Sequence, residues 1–391
     1  MTITLADRRS LVSLAASLAL VPAIVLFLLP VVGAALRIDA LLVTSGVFEI
    51  RFPSIPPSLT SATVTAMVAE ALIARIPRLH TTASFLGSLL IAYFLWDVPV
   101  EGDGFAIGFA SLLLTAWLRA WDVTDRWSAI RPTRMIARRA MNIVVPVFFG
   151  AWIVILWQLI VVGFGVPFVI LPPPSAVWAK LVTSVPTLAI DFRQTFLKAV
   201  LAGYAIGCIS GFLVAIVVDR VAFLKRGLLP VGNLVSALPI IGIAPIMVMW
   251  FGFDWPSKAA VVVAMTFFPM LVNTLAGLAA SEDMERDLMR TYAADYWQAL
   301  FKLRLPAALP FIFNALKINS TLGMIGAIVA EFFGTPVVGM GFRISTEVGR
   351  MNTDMVWAEI AVAALAGSAF YGVVALIERA STFWHPSFRQ P

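Results

Sequence analysis

The feature that most constrains this chain is a succession of apolar runs long enough to cross the ~30 Å hydrocarbon core of a bilayer as helices. They lie at about residues 10–36, 83–98, 104–121, 143–165, 194–218, 227–251, 259–280, 309–332 and 355–378. Only 13% of the residues are charged, about half the ~25% of a soluble domain. Because lipid offers no partner to backbone polar groups, the runs are predicted to be helical. The sequence therefore predicts an all-α polytopic membrane protein.

Two N-terminal runs need separate interpretation. The run at 10–36 follows Arg8 and Arg9, as an export signal would, but its length favours an uncleaved first helix. A weaker run at 58–76 follows the proline-rich stretch 52–57. Whether this weaker run crosses the membrane stays open at this stage.

The distribution of basic residues predicts the orientation. If the opening residues are inside, nineteen of the 28 Lys and Arg residues fall in inside segments and eight in outside segments. This excess agrees with the positive-inside rule, provided that 58–76 also crosses. Both termini are then predicted to be cytoplasmic. The net charge of +6 is explained by topology and lipid headgroups, so nucleic acid is not expected as a partner.

A break in composition divides the chain. Residues 119–142 carry six of the chain's cations and no long apolar run, and they are predicted to be a basic cytoplasmic linker. Residues 1–118 then hold four N-terminal spans, and residues 143–391 hold six more. No internal repeat is visible between the two blocks.

The polar segment 282–308 lies between two of the C-terminal spans. From Asp287 to Phe301 it has few β-branched residues and no Gly or Pro, which predicts one amphipathic helix. At helical spacing, one face of it would carry Tyr292, Tyr296 and Leu300.

Two prolines, Pro306 and Pro310, predict a break between this helix and the next span. Such a helix either lies on the membrane surface or docks on another protein, and the residues alone leave both readings open.

The segment resembles the signature loop of binding-protein-dependent ABC importer permeases. That loop reads Glu-Ala-Ala, three residues, Gly, nine residues, Ile, one residue, Leu-Pro. In register, its positions fall on Asp287, Leu288, Met289, Ala293, Leu303, Leu305 and Pro306. The chain departs from the pattern by Asp for Glu, Leu-Met for Ala-Ala and Ala for Gly.

Other stretches extend the resemblance over about 142–389, and it is closest to the sulfonate, nitrate, taurine and pyrimidine-precursor branch. They are Ile170-Leu-Pro-Pro-Pro-Ser-Ala-Val177, the Pro-rich span 237–252, residues 267–277 and Leu305-Pro-Ala-Ala-Leu-Pro310. The resemblance implies a type I ABC importer (MetI-like) permease core of about six helices within 143–391, to which 1–118 adds about four. It also implies a bacterial inner-membrane location.

In this family the loop is a coupling helix that docks on a separate cytoplasmic ATPase. The resemblance assigns this contact to Asp287, Arg290, Ala293, Ala294, Trp297, Leu303, Leu305 and Pro306. It further implies a permease homodimer and a periplasmic or lipid-anchored solute-binding protein. The chain has no Gly-x-x-x-x-Gly-Lys-Ser/Thr loop, so ATP and Mg are expected in the partner and no cofactor or enzymatic activity in this chain.

Few residues are suited to catalysis or metal binding. The single Cys208 lies inside an apolar span, and His80 and His385 are far apart in the chain. A disulfide framework, a Cys-based metal cluster and a His-based centre are therefore not expected.

The candidates for the translocation path are prolines that interrupt a span and polar residues at membrane depth. They are Pro239, Pro245, Asn319, Thr321 and Glu331. For the polar ones, helix packing is the competing role. Glu331 is expected near the outer mouth, paired with Arg343 or Arg350, and Lys317 is expected to reach the cytoplasmic surface.

The predicted function is import of a small organic solute, with a preference for a pyrimidine, thiamine-precursor or riboflavin-like compound; a sulfonate, taurine or nitrate is also possible. The alternatives are an ion-coupled secondary transporter and a membrane scaffold. A secondary transporter favours acidic pairs at mid-membrane and a repeated half, and this sequence has few such acids and no visible repeat.

Overall fold

The structure is a computed structural model. It describes residues 80–96, 103–130, 132, 135–221, 223–224, 227, 240–334 and 337–384. The chain divides into two compact units, Met1–Ala176 and Val177–Pro391. The predicted spans at 10–36 and 58–76 lie outside the described residues.

Most of the described residues are helical, as predicted. The helices are α1 (His80–Leu95), α2 (Asp103–Ala129), α3 (Met135–Gly163), α4 (Pro174–Thr183), α5 (Val185–Arg220), α6 (Ile240–Phe251), α7 (Trp255–Ala279), α8 (Asp283–Thr291), α9 (Tyr296–Glu331), α10 (Met340–Gly349) and α11 (Thr353–Ser381). Among them α3, α5, α7, α9 and α11 are long and apolar enough to cross a membrane. The fold class is therefore confirmed. Of the predicted span 227–251, the structure describes continuous helix only in α6.

In the first unit, α1, α2 and α3 pack around an apolar core. Its buried side chains include Leu95, Phe109, Trp152 and Leu159. A methyl group on Gly163 would overlap the Phe109 ring, so this glycine permits the close approach of α2 and α3.

The predicted basic linker, residues 119–142, is largely helical. Helix α2 continues to Ala129 and α3 begins at Met135, so the basic residues are mostly helical. The sequence there is polar but contains few helix-breaking residues, so a helical form is compatible with a linker, and its role as a linker stays a prediction. The domain boundary itself stays a prediction.

In the second unit, α7 is the central helix, with α5 and α9 against it. Gly203, Gly207 and Gly211 of α5 face α7, where an added methyl would overlap Val262, Thr266 or the Phe267 carbonyl. Glycines four residues apart lie on one helix face and let two backbones approach closely. The second unit is therefore built around tightly packed small residues and not around large side chains alone.

Two of these helices contain wide π-helical turns, at Arg193–Val200 in α5 and Leu300–Arg304 in α9. The second turn overturns the predicted break at the prolines, because α9 continues through Pro306 and Pro310. A transmembrane helix tolerates proline where local π adjustment accommodates the missing N–H.

Candidate functional site

The polar segment 282–308 contains two helices where one was predicted. Helix α8 ends at Thr291 and α9 begins at Tyr296. Between them Ala293 has φ of +53°, a left-handed conformation that costs a non-glycine residue about 1–2 kcal/mol. The predicted common face is lost: Tyr292 is 78% exposed, whereas Leu300 is buried in the core.

Hydrogen bonds fix the turn at Ala293. Its N–H donates to the Arg290 carbonyl at 2.9 Å, and the Ala294 N–H donates to the Met289 carbonyl at 3.0 Å. These are the two bonds of a Schellman helix end, which normally places glycine at the left-handed residue. Ala293 is also the residue in register with the glycine of the signature loop, so the backbone explains why that motif position favours glycine.

Side-chain caps start both helices of the segment. The Glu282 N–H donates to Glu285 at 3.2 Å at the start of α8. At the start of α9, the Gln298 N–H donates to Asp295 at 2.7 Å and the Asp295 N–H donates to Gln298 at 3.2 Å. Reciprocal caps of this kind fix the entry of the chain into a helix, so the segment is ordered by its own local sequence.

An exposed apolar patch covers the segment; we call it the segment patch. Its members are Met284, Leu288, Tyr292, Trp297 and Phe301. The Trp297 and Phe301 rings stack with centroids 6.0 Å apart. The Arg220 guanidinium lies 5.5 Å from the Trp297 ring, a cation–π distance.

Some of the predicted coupling residues are exposed on the segment, and the others are partly buried where the segment joins the long part of α9. Asp287, Arg290, Ala293 and Trp297 are exposed, and Ala294, Leu303, Leu305 and Pro306 are partly buried. Leu305 packs against an apolar cluster with Leu278, Leu300 and Ala308.

Arg304, near the end of the segment, binds two other helices, α5 and α7; we call this the Arg304 junction. Its Nη1 and Nη2 atoms each donate to one carboxylate oxygen of Asp219, at the end of α5, at 2.7 Å. Its Nε donates to the Leu278 carbonyl, near the end of α7, at 3.0 Å. The Tyr296 hydroxyl also donates to Asp219, at 3.0 Å. The junction therefore connects the ends of α5, α7 and the start of α9.

A second polar cluster lies at the other end of α9, about 40 Å away along a helix of this length. We call it the α10 cap cluster. The backbone N–H groups of Gly339, Met340 and Gly341 donate to Asp191, Thr195 and Glu331, at 2.6, 2.8 and 2.7 Å respectively. Negative and hydroxyl acceptors suit a helix N-terminus, whose first N–H groups have no partner within the helix.

Further contacts join the cap cluster internally. The Thr195 hydroxyl donates to Glu331 at 2.8 Å, and Arg343 Nε donates to Asp191 at 2.8 Å. That bond to Asp191 raises the pKa of Arg343 above its usual value. The predicted pairing of Glu331 with Arg343 or Arg350 was therefore wrong: Arg343 binds Asp191, and Arg350 binds Glu347 at 3.1 Å.

Helix α10 begins at Met340, directly after Gly339. Gly339 precedes the helix with φ of +135°, a conformation that glycine adopts without strain. Glu331 is 2% exposed and bonded to protein groups. Its predicted role in the path is untested, and here it holds α10 in place.

Asn319 and Thr321 form hydrogen bonds with groups other than Glu331. Asn319 is buried and donates to Cys208 Sγ at 3.2 Å and to the Thr266 carbonyl at 2.8 Å. The Thr321 hydroxyl donates to the carbonyl of Ile318 in its own helix at 2.8 Å. Pro245 lies inside α6, and Pro239 lies outside the described residues. Their place in a translocation path stays a prediction.

Lys317 was expected to reach the cytoplasmic surface, but its side chain is bound within the protein. It forms an ion pair with Glu378 of α11 at 2.8 Å and is largely buried. The sequence could not show this pair, because the two residues lie on separate helices.

Sequence reasoning also missed Asp191, Thr195, Asp219 and the role of Arg304. A signal was present, since Asp191 and Asp219 are acidic residues at the two ends of one apolar span. Their partners are 77 to 152 residues away in the chain, so spacing alone gave no indication of the pairs.

Several known proteins are similar in sequence to this chain. Residues 203–382 match the family described as the binding-protein-dependent transport system inner membrane component. A probable ABC transporter permease protein of Haemophilus influenzae is 30% identical over 217 residues, 56% of this chain and 88% of that protein. The formylaminopyrimidine transport permease protein of Halalkalibacterium halodurans is 27% identical over 247 residues, 63% of this chain and 98% of that protein.

A third relative, the riboflavin transport system permease protein of Chloroflexus aurantiacus, is 28% identical over 236 residues, 60% of this chain and 88% of that protein. These relatives are transport permeases, and this chain covers most of the length of each. With its long apolar helices, the chain is a multi-pass inner-membrane protein. It belongs to the family of binding-protein-dependent inner membrane components, the permease subunits of ABC importers.

Proposed function

We propose that this permease couples to a separate cytoplasmic ATPase through the segment 282–308 and passes a small organic solute into the cell. The observation that carries the proposal is the segment patch, an exposed apolar and aromatic surface on an ordered, polar segment. Exposed apolar side chains grouped on one short polar segment are typical of an interaction site. The resemblance to the signature loop supports the same assignment.

Charge favours a protein partner over the membrane surface. Helix α8 carries three acids, Asp283, Glu285 and Asp287, against two arginines, Arg286 and Arg290. Helices that lie on anionic lipid are rich in basic residues on the polar face. A net-acidic helix with protruding Met284 and Leu288 suits a cleft on a protein.

The proposal extends to topology and partners. The segment 282–308 and both termini face the cytoplasm, and the α10 cap cluster lies toward the outside. The partner holds ATP and Mg, two permease copies enclose the path, and an external binding protein delivers the solute. The family and the distribution of basic residues support this arrangement.

The proposed solute is a pyrimidine, thiamine-precursor or riboflavin-like compound. Two of the similar proteins are named for formylaminopyrimidine and riboflavin transport. Others are named for aliphatic sulfonates and taurine, so a sulfonate, taurine or nitrate is the second choice. Thermal-shift screening of the binding protein encoded beside this permease, against both groups of compounds, separates them.

Co-purification tests the coupling role. The double variant Ala293→Asp, Trp297→Asp places one charge on the segment patch and one on the exposed turn beside it, and is expected to lose the ATPase subunit. Trp178→Asp is the matched control, because Trp178 is also an exposed tryptophan but lies on α4. The proposal fails if both variants retain the ATPase equally.

Uptake by vesicles separates the importer from an ion-coupled transporter. The importer requires ATP and its ATPase subunit, with the binding protein and its identified ligand supplied outside. Uptake that continues in ATP-depleted vesicles under an ion gradient would exclude ABC coupling.

A further inference from the structure

The Arg304 junction has features beyond simple attachment. The arginine forms two parallel bonds to Asp219, a geometry that fixes orientation as well as distance. Both side chains are largely buried, at 18% and 6% exposure, so solvent screens the pair less than a surface ion pair. The third donor nitrogen of Arg304 binds the Leu278 carbonyl, one of the last carbonyls of α7, which have no partner within that helix.

The π-helical turn at Leu300–Arg304 makes the junction possible. In a regular helix, Tyr296 and Arg304 are eight residues apart and point about 80° away from each other. The π-helical turn adds one residue without adding to the rotation of the helix. Tyr296 and Arg304 are then oriented as if seven residues apart, and their directions differ by about 20°. Both side chains then reach Asp219, as observed.

The segment has two parts, α8 and the start of α9, and the junction belongs to the second. Helix α8 and the start of α9 are separated by the turn at Ala293. The start of α9 is attached to α5 and α7 by Arg304, and α5 and α7 are packed tightly through Gly203, Gly207 and Gly211. The junction therefore attaches the segment to both helices, and Arg286 of α8 adds a second contact at the Ala279 carbonyl at the end of α7.

The same two helices extend to the α10 cap cluster. Helix α5 carries Asp191 and Thr195, which bind the first turn of α10. Helix α7 begins at Trp255, at that end of the unit, where Asp254 binds Gln194 of α5 at 2.8 Å. The two polar clusters are thus joined by continuous helices.

We propose that Arg304 and Asp219 are the positioning pair through which movement of the segment 282–308 is transmitted to α5 and α7, and through them to α10. Tyr296 supports the pair by binding the same carboxylate. The proposal rests on the proposed function, because the movement originates in the ATPase partner. It assigns to Arg304 transmission and not docking.

Cysteine labelling at α10 tests the proposal without a known solute. Cys208 is the only cysteine in the sequence, so the Cys208→Ser background accepts a single reporter, Val348→Cys, at an exposed residue of α10. The full chain is reconstituted with its ATPase subunit in nanodiscs. The maleimide labelling rate is then measured without nucleotide and with ATP, Mg and vanadate.

In the background, nucleotide is expected to change the labelling rate. Arg304→Gln is expected to retain the ATPase subunit while the nucleotide-dependent change falls about fivefold or more, the lower end of ordinary coupling between two sites. Arg304→Lys keeps the charge but cannot form two parallel bonds to Asp219, so its nucleotide-dependent change is expected to lie between those of the background and Arg304→Gln. The exchange Asp219→Arg, Arg304→Asp is expected to regain part of the change.

Lys180→Gln is the control, because it removes another interhelical ion pair, Lys180 with Asp354 at 3.5 Å, away from the junction. It is expected to leave the nucleotide response unchanged.

Each outcome decides between the proposals. If the background itself neither binds the ATPase nor responds to nucleotide, the proposed function fails. If the background responds and Arg304→Gln responds equally, the transmission role is overturned. Loss of the ATPase subunit in Arg304→Gln also overturns it, in favour of docking. If Arg304→Gln does not fold, Arg304→Lys and Tyr296→Phe decide, and a full response in both overturns the proposal.

Discussion

The Arg304 junction and the α10 cap cluster both connect helices through polar side chains, at opposite ends of α9, but with different groups. Each connects α5 and α9 to a further helix by buried polar contacts. The junction uses one arginine fork on one carboxylate, beside an exposed aromatic surface. The cap cluster uses three side chains to bind the first three N–H groups at the start of α10.

The difference follows from burial. Asp191 is 0% exposed and Glu331 is 2% exposed, so every N–H and oxygen there needs a protein partner. Arg304 is reached by solvent on one side, and its neighbours on the segment are exposed. The cap cluster is therefore expected to contribute more to stability, and the junction more to coupling.

The largest effect is expected at the cap cluster. Asp191→Ala removes the acceptor of both Arg343 and the Gly339 N–H. Breaking a buried charge pair typically costs ~3–5 kcal/mol, so thermal unfolding in detergent should shift strongly downward. Asp287→Ala is the control, because its pair with Arg290 is exposed and is expected to change the free energy of unfolding by less than ~1 kcal/mol. Equal shifts would show that burial does not distinguish the two ends.

A smaller loss of stability is expected at the junction. Arg304→Gln removes two charge-assisted bonds to Asp219 but leaves a partly hydrated site, so we expect a loss of about 2 kcal/mol. Lys302→Gln, at an exposed position two residues earlier, should lie within ~0.5 kcal/mol of the unmodified protein. A loss at Arg304 larger than that at Asp191 would reverse the comparison.

A gain in stability is expected at the turn that separates α8 from α9. Ala293→Gly relieves the left-handed conformation and is expected to stabilise by up to about 1 kcal/mol, the preference offset in part by the freer unfolded chain. Ala294→Gly, at a neighbouring residue whose φ is not positive, should instead destabilise. If both substitutions shift unfolding in the same direction, the conformation of Ala293 is not the cause.

The smallest effect is a dependence on pH at the start of α7. The Trp255 N–H, which donates to Asp254 at 2.7 Å, lowers the pKa of this carboxyl. A lowered folded-state pKa stabilises above the unfolded value of about 3.9, and the stabilisation is lost as pH falls through the folded value. Asp254→Asn should therefore be slightly destabilising at pH 7 and neutral in strong acid. A difference that persists unchanged at pH 2 would contradict this.

Much of the fold followed from local sequence. The apolar runs at 143–165, 194–218, 259–280, 309–332 and 355–378 correspond to long helices, because burial in lipid leaves few alternatives to a helix. The register of the signature loop placed its glycine at Ala293, the residue that proved to be left-handed.

Local sequence failed where backbone geometry departs from the regular helix. The segment around Ala293 was expected to be one helix, because alanine favours helices and no Gly or Pro marks the turn. The prolines after Arg304 were expected to end a helix, but the π-helical turn accommodates them. At Ala293 the local helix-end and capping hydrogen bonds outweighed the helical preference of alanine, and at the prolines the π-helical turn allowed the helix to continue.

The sequence by itself determined that this chain crosses membranes as helices, that a polar segment interrupts them at 282–308, and that acids stand at the ends of the span containing Gly203. Only the tertiary structure decided which groups those acids bind: Arg304 and Tyr296 at one end, and Arg343 with the first turn of α10 at the other. The physical reason is that hydropathy acts on each helix alone. A hydrogen bond or ion pair depends on rotation and register between helices, which packing and one inserted residue in a turn set together.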